Sequence, residues 1–268
     1  MKKVSLKEVS KLVRRNILNV SFNAHMGHIG SSLSVVEILV ALYFKVLNID
    51  PKNISDPERD RFILSKGHAG LSLYCVLYER GFITKDELFS FCQDGSKLLV
   101  HPEWNGLAGI EHGTGSLGHG LPVAVGMAHA AKLLGKKLKI YLLLSDSELD
   151  EGTTWEAALF AGHHKLDNLT VILDNDNSQA LGKKTEVLNP EPLEQKWKSF
   201  NFETISVDGH NLEDLVRRIK EDHEGRPKII IANTKMGKGV SFMEGDYRWH
   251  YYDLKPDQLS AALSEIKI

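Results

Sequence analysis

Apolar positions recur at helical spacing from Ser5 to Asn23, where Val9, Leu12, Val13, Ile17 and Val20 share a face. Ser5 and Glu8 have the spacing of a capping box at its start. A second helix is expected from Leu33 to about Leu47, turning Val36, Leu39, Val40, Tyr43 and Phe44 to the core. Between these helices lies Asn23-Ala24-His25-Met26-Gly27-His28-Ile29-Gly30-Ser31-Ser32, whose two glycines and two serines let backbone approach a ligand closely. Further helices are predicted from Leu71 to Arg80, closed by Gly81, and from Thr84, capped with Glu87. Others follow from Leu121 to Leu134, Trp155 to His164, Lys196 to Phe200 and Asn211 to Glu221, with a last one in the tail. Short apolar runs at 61–64, 139–144, 169–173, 203–207 and 228–233 read as strands. Gln93–Gly113 and Lys183–Pro192 read as irregular. Apolar strands alternating with helices are the pattern of parallel βαβ units. The sum is an α/β fold, a doubly wound and mostly parallel sheet with helices on both faces, as a single domain over 1–268.

The 268 residues suffice for one large α/β domain. A charged fraction of 25% and an apolar fraction of 42% are those of an ordinary soluble protein. A formal net charge of −2 gives no basic surface for nucleic acid. No apolar stretch is long enough to span a bilayer, and the start of the chain has no signal-peptide core. Two cysteines, Cys75 and Cys92, make neither a disulfide framework nor a metal knot. The expected location is cytoplasmic, with no membrane and no nucleic acid among the partners.

The stretch 142–182 organises the chain. The run Leu142-Leu143-Leu144-Ser145 ends at Asp146, a helix follows, and the run Leu169–Leu173 ends in Asp174-Asn175-Asp176. In open α/β sheets ligands sit beyond the carboxyl ends of the strands. Asp146 and Asp176 are expected there together, two hard oxygen donors suited to Mg²⁺ or Ca²⁺ and through it to a phosphate group. On the residues alone, Asp146 also reads as a helix N-cap and 174–177 as a polar turn.

This stretch resembles the metal-diphosphate motif of thiamine diphosphate enzymes. Ser145-Asp146-Ser147 stands where that family has Gly-Asp-Gly, and Asp176 falls where it has Asn. The chain as a whole resembles the N-terminal half of transketolase. Gly27-His28-Ile29-Gly30, Arg59–His68, His101-Pro102-Glu103, Thr114–Gly118, Glu148–Gly152 and Lys235–Glu244 follow one another in the family's order. The resemblance implies that Asp146, Asp176 and the backbone carbonyl of Ser178 bind Mg²⁺ (or Ca²⁺). It places His68, Gly115, Ser116, Leu117, Asp146, Ser147, Asp176 and His250 at thiamine diphosphate. It gives catalytic roles to His28, His68, His101, Glu151 and His250, with Tyr251 where the family has Gly after the last histidine. His28 and His101 would meet substrate hydroxyls or move protons, His68 would meet the diphosphate, and Glu151 would join a proton-linked network between subunits. Ser147 retains the backbone N–H that meets the diphosphate, provided its φ is negative.

The implied function is transfer of a two-carbon ketol unit from a ketose or ketose phosphate to an aldose or aldose phosphate. The implied partner is a separate C-terminal transketolase subunit bearing the pyrimidine-binding domain, in an α₂β₂ assembly. Two alternatives stay open. One is a non-catalytic scaffold with weakened cofactor binding. The other is a different thiamine diphosphate enzyme, similar to 1-deoxyxylulose-phosphate synthase.

Overall fold

The computed structural model describes residues 5–223 and 225–267. The polar start Met1–Val4 and the final Ile268 of the expected tail helix lie outside the described residues. Five strands form one sheet: β1 (Arg61–Leu64), β2 (Ile140–Ser145), β3 (Leu169–Asn175), β4 (Glu203–Asp208) and β5 (Lys228–Asn233). Their order is β1-β2-β3-β5-β4, and every pairing is parallel. All five carboxyl ends therefore open on one side of the molecule.

Alternation along the strands divides the core in two. Tyr141, Leu143, Ile172 and Ile230 join one apolar cluster with Val13, Ile17, Leu39 and Leu77. Leu142, Leu144, Val171, Leu173, Ile229 and Ile231 join the other with Ala128, Ala158 and Trp197. The first face carries helices Leu6–Ala24 and Gly70–Arg80, the second Gly120–Leu133 and Gly152–His163. A strand buried on both faces must be apolar throughout, which is why these runs lack polar alternation.

Both capping boxes are present, Ser5 with Glu8 and Thr84 with Glu87, and Gly81 closes its helix at φ +81°. Two expectations are corrected. The helix expected from Leu33 to Leu47 begins at Ile29, directly after His28, and breaks at Val35 into Ile29–Ser34 and Val36–Ala41. The Ser34 hydroxyl sits at the break, 2.9 Å from the Ser31 carbonyl and 2.7 Å from Asp174, and such back-bonding bends helices. The segment expected to be irregular from Lys183 to Pro192 contains a helical turn, Lys184–Val187, after a small ladder that pairs Ser178–Gln179 with Gly182–Lys183.

Among the described residues no helix is long and apolar enough to cross a membrane. Cys75 and Cys92 are free, and burial pushes both thiols up, Cys92 to about 11.

Helix Gly152–His163 crosses the 200–202 turn at its closest point through Gly162. A Cβ there would stand 1.8 Å from the Phe200 carbonyl oxygen, which is backbone and cannot rotate aside. Gly162→Ala is expected to cost about 3 kcal/mol through forced separation of helix and turn, read as a fall in the urea midpoint with unchanged slope.

Candidate active site at the strand ends

Two groups of side chains meet beyond the carboxyl ends of the strands, joined by the loop that leaves β1. The first is acidic. Asp146 follows β2 directly and is 1% exposed. Asp174 lies near the end of β3, Asp176 just beyond it, and both are buried. Ser145 pairs in register with Asp174, which sets Asp146 beside the turn that carries Asp176. That turn is tied to the Asp146–Asp150 segment by Gln179, whose side-chain amide donates to Asp150 at 2.9 Å.

The groups around these three carboxylates differ. Asp174 accepts from the hydroxyls of Ser34 and Thr234 and from the Lys66 ammonium. Asp176 accepts from the Ser178 backbone N–H at 2.8 Å with one oxygen and from Lys66 at 3.1 Å with the other. Asp146 Oδ2 is buried and has no partner among the described residues. A buried carboxylate oxygen without a donor is costly. Burial, then repulsion from Asp176, raises the Asp146 pKa well above the carboxylate range. Burial likewise pushes Asp176 up to about 6, with Lys66 opposing and Asp174 adding to it.

Ser147 stands in the short 3₁₀ turn Asp146–Asp150 and is not among the described residues of positive φ. Its Cβ is therefore accommodated without backbone strain. The turn itself is held by Glu148. This fully buried carboxylate accepts from the Ser145 backbone N–H, the Gly118 N–H and the Ser65 hydroxyl. One side chain thereby fixes three of the loops at the strand ends.

The second group is imidazole. The ring of His28 lies 6.1 Å from His68, 5.7 Å from His101 and 4.5 Å from His250, and His68 lies 5.2 Å from His250. Four histidines from distant parts of the chain thus form one cluster, with the exposed Tyr251 ring 4.8 Å from His250. Gly67 and Gly115 let the loops around this cluster approach closely. A Cβ on Gly67 would stand 2.7 Å from the Gly115 nitrogen, and one on Gly115 would stand 3.2 Å from the His101 ring. Gly115 has φ +136°, which only glycine adopts freely. Ser116 is exposed and Leu117 half-buried in the same loop.

Burial depresses all four histidines, and the neighbouring imidazoles or Lys66 add to it at His28, His68 and His250. His28 falls to about 4 and His250 to about 3, while His68 and His101 are also lowered. All four are neutral at pH 7, each with one nitrogen that accepts and one that donates. A histidine whose folded pKa lies below its unfolded value of about 6.5 is destabilising once the unfolded chain can bind the proton. The raised carboxyls act in the opposite sense, Asp146 foremost, and Asp176 between about pH 6 and 4. The histidines outnumber them, so stability is expected to fall by about 2 kcal/mol from pH 7 to pH 5, measured by urea melts of the cofactor-free chain.

The structure therefore brings Asp146, Asp176 and Ser178 together in one group and His28, His68, His101, His250 and Gly115 in another. Glu151 is placed apart, exposed, at the N-cap of helix Gly152–His163 and packed against Gly118. Lys66, Asp174 and Glu148 were not singled out from the sequence. The apolar-to-polar change at each strand end was the available signal, but their pairings span 83 to 110 positions.

Among the described residues no three His, Cys, Asp or Glu side chains converge as a complete metal site. Asp146 and Asp176 supply two hard donors, and the unpartnered Asp146 oxygen fits a divalent cation. The remaining positions of its coordination sphere would fall to carbonyl, water and phosphate oxygens.

Residues 7–266 match the family described as transketolase, thiamine diphosphate binding domain. The chain is 45% identical over 264 residues to one of the subunits of the apulose-4-phosphate transketolase of Actinobacillus succinogenes, covering 98% of this chain and 96% of the relative. It is 39% identical over 266 residues to a 6-deoxy-6-sulfo-D-fructose transketolase subunit of a Clostridium species, covering 98% and 97%. Among solved structures, the transketolase of Campylobacter jejuni superposes with a TM-score of 0.92 at 32% identity, over 97% of this chain and 42% of that one. The chain thus spans about two fifths of that transketolase.

Proposed function

We propose that this chain, which belongs to the transketolase family, is the diphosphate-binding subunit of a two-subunit transketolase. It works with a second subunit that supplies the pyrimidine-binding half, in keeping with relatives that are themselves named as subunits of transketolases. The reaction is transfer of a two-carbon ketol unit from a ketose or ketose phosphate to an aldose or its phosphate. The names of two relatives, subunits of an apulose-4-phosphate transketolase and of a 6-deoxy-6-sulfo-D-fructose transketolase, favour a specialised ketose donor. The whole of 1–268 acts as one cofactor domain, in the cytoplasm, within an α₂β₂ assembly.

The observation that carries this reading is a buried, partnerless Asp146 oxygen beside Asp176, together with a cluster of four histidines, the two groups joined by the loop that holds Lys66 and His68. Asp146 and Asp176, with the Ser178 carbonyl, would hold Mg²⁺. The Ser147 N–H and His68 would meet the diphosphate, and Gly115, Ser116 and Leu117 the aminopyrimidine. Bound there, thiamine diphosphate supplies the electron sink for carbon–carbon cleavage. The chain's own part is to orient substrate and move protons. His28, His101 and His250 each present a neutral nitrogen that accepts from a sugar hydroxyl, and the opposite N–H can donate to a carbonyl oxygen. Tyr251 flanks His28 and His250. Glu151 sits where a partner subunit can cover it.

The negative φ of Ser147 argues against a relic with a collapsed cofactor loop. Mixed with its partner subunit, Mg²⁺ and thiamine diphosphate, the chain is expected to show ketol transfer in a coupled aldose assay. The chain alone is expected to show less than about a thousandth of that rate, because half of the cofactor contacts are missing. A partner-loaded preparation that binds thiamine diphosphate but releases CO₂ from pyruvate would move the assignment to the synthase-like alternative.

A further inference from the structure

A buried lysine stands among the carboxylates at the strand ends, and no role in the proposed reaction accounts for it. Lys66 is 2% exposed and leaves β1 two residues before His68. Its ammonium donates to Asp174, to Asp176 at 3.1 Å and to Ser34 at 3.3 Å, so all three N–H groups are used. A buried ammonium costs several kcal/mol unless carboxylates compensate it.

The two carboxylates it touches are not equivalent. Asp174 is locked by Ser34 and Thr234 as well, within the end of β3. It anchors the lysine. Asp176 lies beyond the strand and has one further donor, the Ser178 N–H. At the proposed cofactor site an extra carboxylate at 176 would add to the negative charge of a diphosphate. The Lys66 ammonium, shared with Asp174, offsets part of that charge while leaving the outer lone pairs of Asp176 free to bind a cation.

We infer that Lys66 is a positioning residue that acts with Asp176 as a matched pair, so that the metal and diphosphate meet a donor less negative than an unpaired aspartate. The inference rests on the proposed cofactor site and adds to it a residue outside the expected ligand set. It makes Lys66 indispensable only while residue 176 is an aspartate.

A four-cornered comparison tests this with the complete protein of both subunits. Thiamine diphosphate affinity is measured by titration calorimetry at fixed Mg²⁺ for wild type, Lys66→Met, Asp176→Asn and the double variant. Each single variant is expected to bind at least tenfold more weakly. The double variant is expected to return to within about threefold of wild type, and Lys66→Arg to bind within tenfold, because the charge is kept. Thermal melts of all five proteins check that each is folded. If Lys66→Met does not fold, Lys66→Gln, alone and combined with Asp176→Asn, gives the same comparison, because it too removes the charge. Losses that multiply in the double variant overturn the matched pair while leaving the cofactor site intact. A wild-type assembly that takes up no thiamine diphosphate overturns the proposed function itself, and this inference with it.

Discussion

Asp146→Ala in the assembled enzyme is expected to lower ketol transfer by about a thousandfold, since loss of a metal ligand removes several kcal/mol of charge stabilisation. Thiamine diphosphate should then dissociate on gel filtration. The same substitution is expected to leave the cofactor-free chain as stable as wild type, or to stabilise it. The carboxylate is buried, has no donor on one oxygen and is held far from its ordinary ionisation by burial and by Asp176. Removing it relieves a desolvation cost with no hydrogen bond lost at Oδ2. Function gained at the expense of stability is what a ligand-binding group should show. A large fall in the melting temperature of the free chain would instead make Asp146 a structural cap.

Arg14→Met is expected to cost about 4 kcal/mol of stability at pH 7, the penalty for leaving a buried carboxylate without its partner. Arg14 and Glu37 are each 7% exposed and meet through two parallel bonds of 2.5 and 2.8 Å. Arg14 also donates to the Lys238 carbonyl at 2.9 Å, and Glu37 pairs with His210 at 3.0 Å. The network joins the first helix, the broken helix 29–41 and the loops after β4 and β5. Burial opposes ionisation of Glu37, but Arg14 and His210 outweigh it and hold its pKa at about 2. A depressed carboxylate contributes stability that is present above its unfolded value of about 4.5 and is lost as pH falls towards 2. The deficit of Arg14→Met should therefore shrink between pH 7 and pH 4, as Glu37 protonates in the variant. Arg14→Met with Glu37→Leu should recover most of the loss. Urea melts at the two pH values check both statements. An equal deficit at pH 7 and pH 4 would show that the charge pair is not its source.

What could be read in the chain divides by range. Ser5 with Glu8, Thr84 with Glu87 and Gly81 are local signals, and each marks the helix end it was expected to mark. Lys228–Asn233 was bounded correctly because an apolar run between polar turns leaves little choice of limits. The helix break at Val35 was not legible. It depends on Ser34 reaching Asp174, 140 positions away. At the site, Asp146 and Asp176 could be found because strand ends in parallel sheets are where ligands go. Lys66 was hidden within a short motif, and its meaning lies in two carboxylates more than a hundred residues downstream. Glu148 was hidden likewise, as one letter of an acidic run. Long-range pairing of buried charges leaves no periodic trace in a sequence, whereas the apolar faces that build the sheet do.

The most direct measurement is a crystal structure of both subunits together, grown with Mn²⁺ and thiamine diphosphate, with the ion located by anomalous scattering. The ion is expected on Asp146 and Asp176 directly, the diphosphate against the Ser147 N–H, and Lys66 still on the far side of Asp176. An ion or diphosphate seated away from the ends of β2 and β3 would contradict the proposed site.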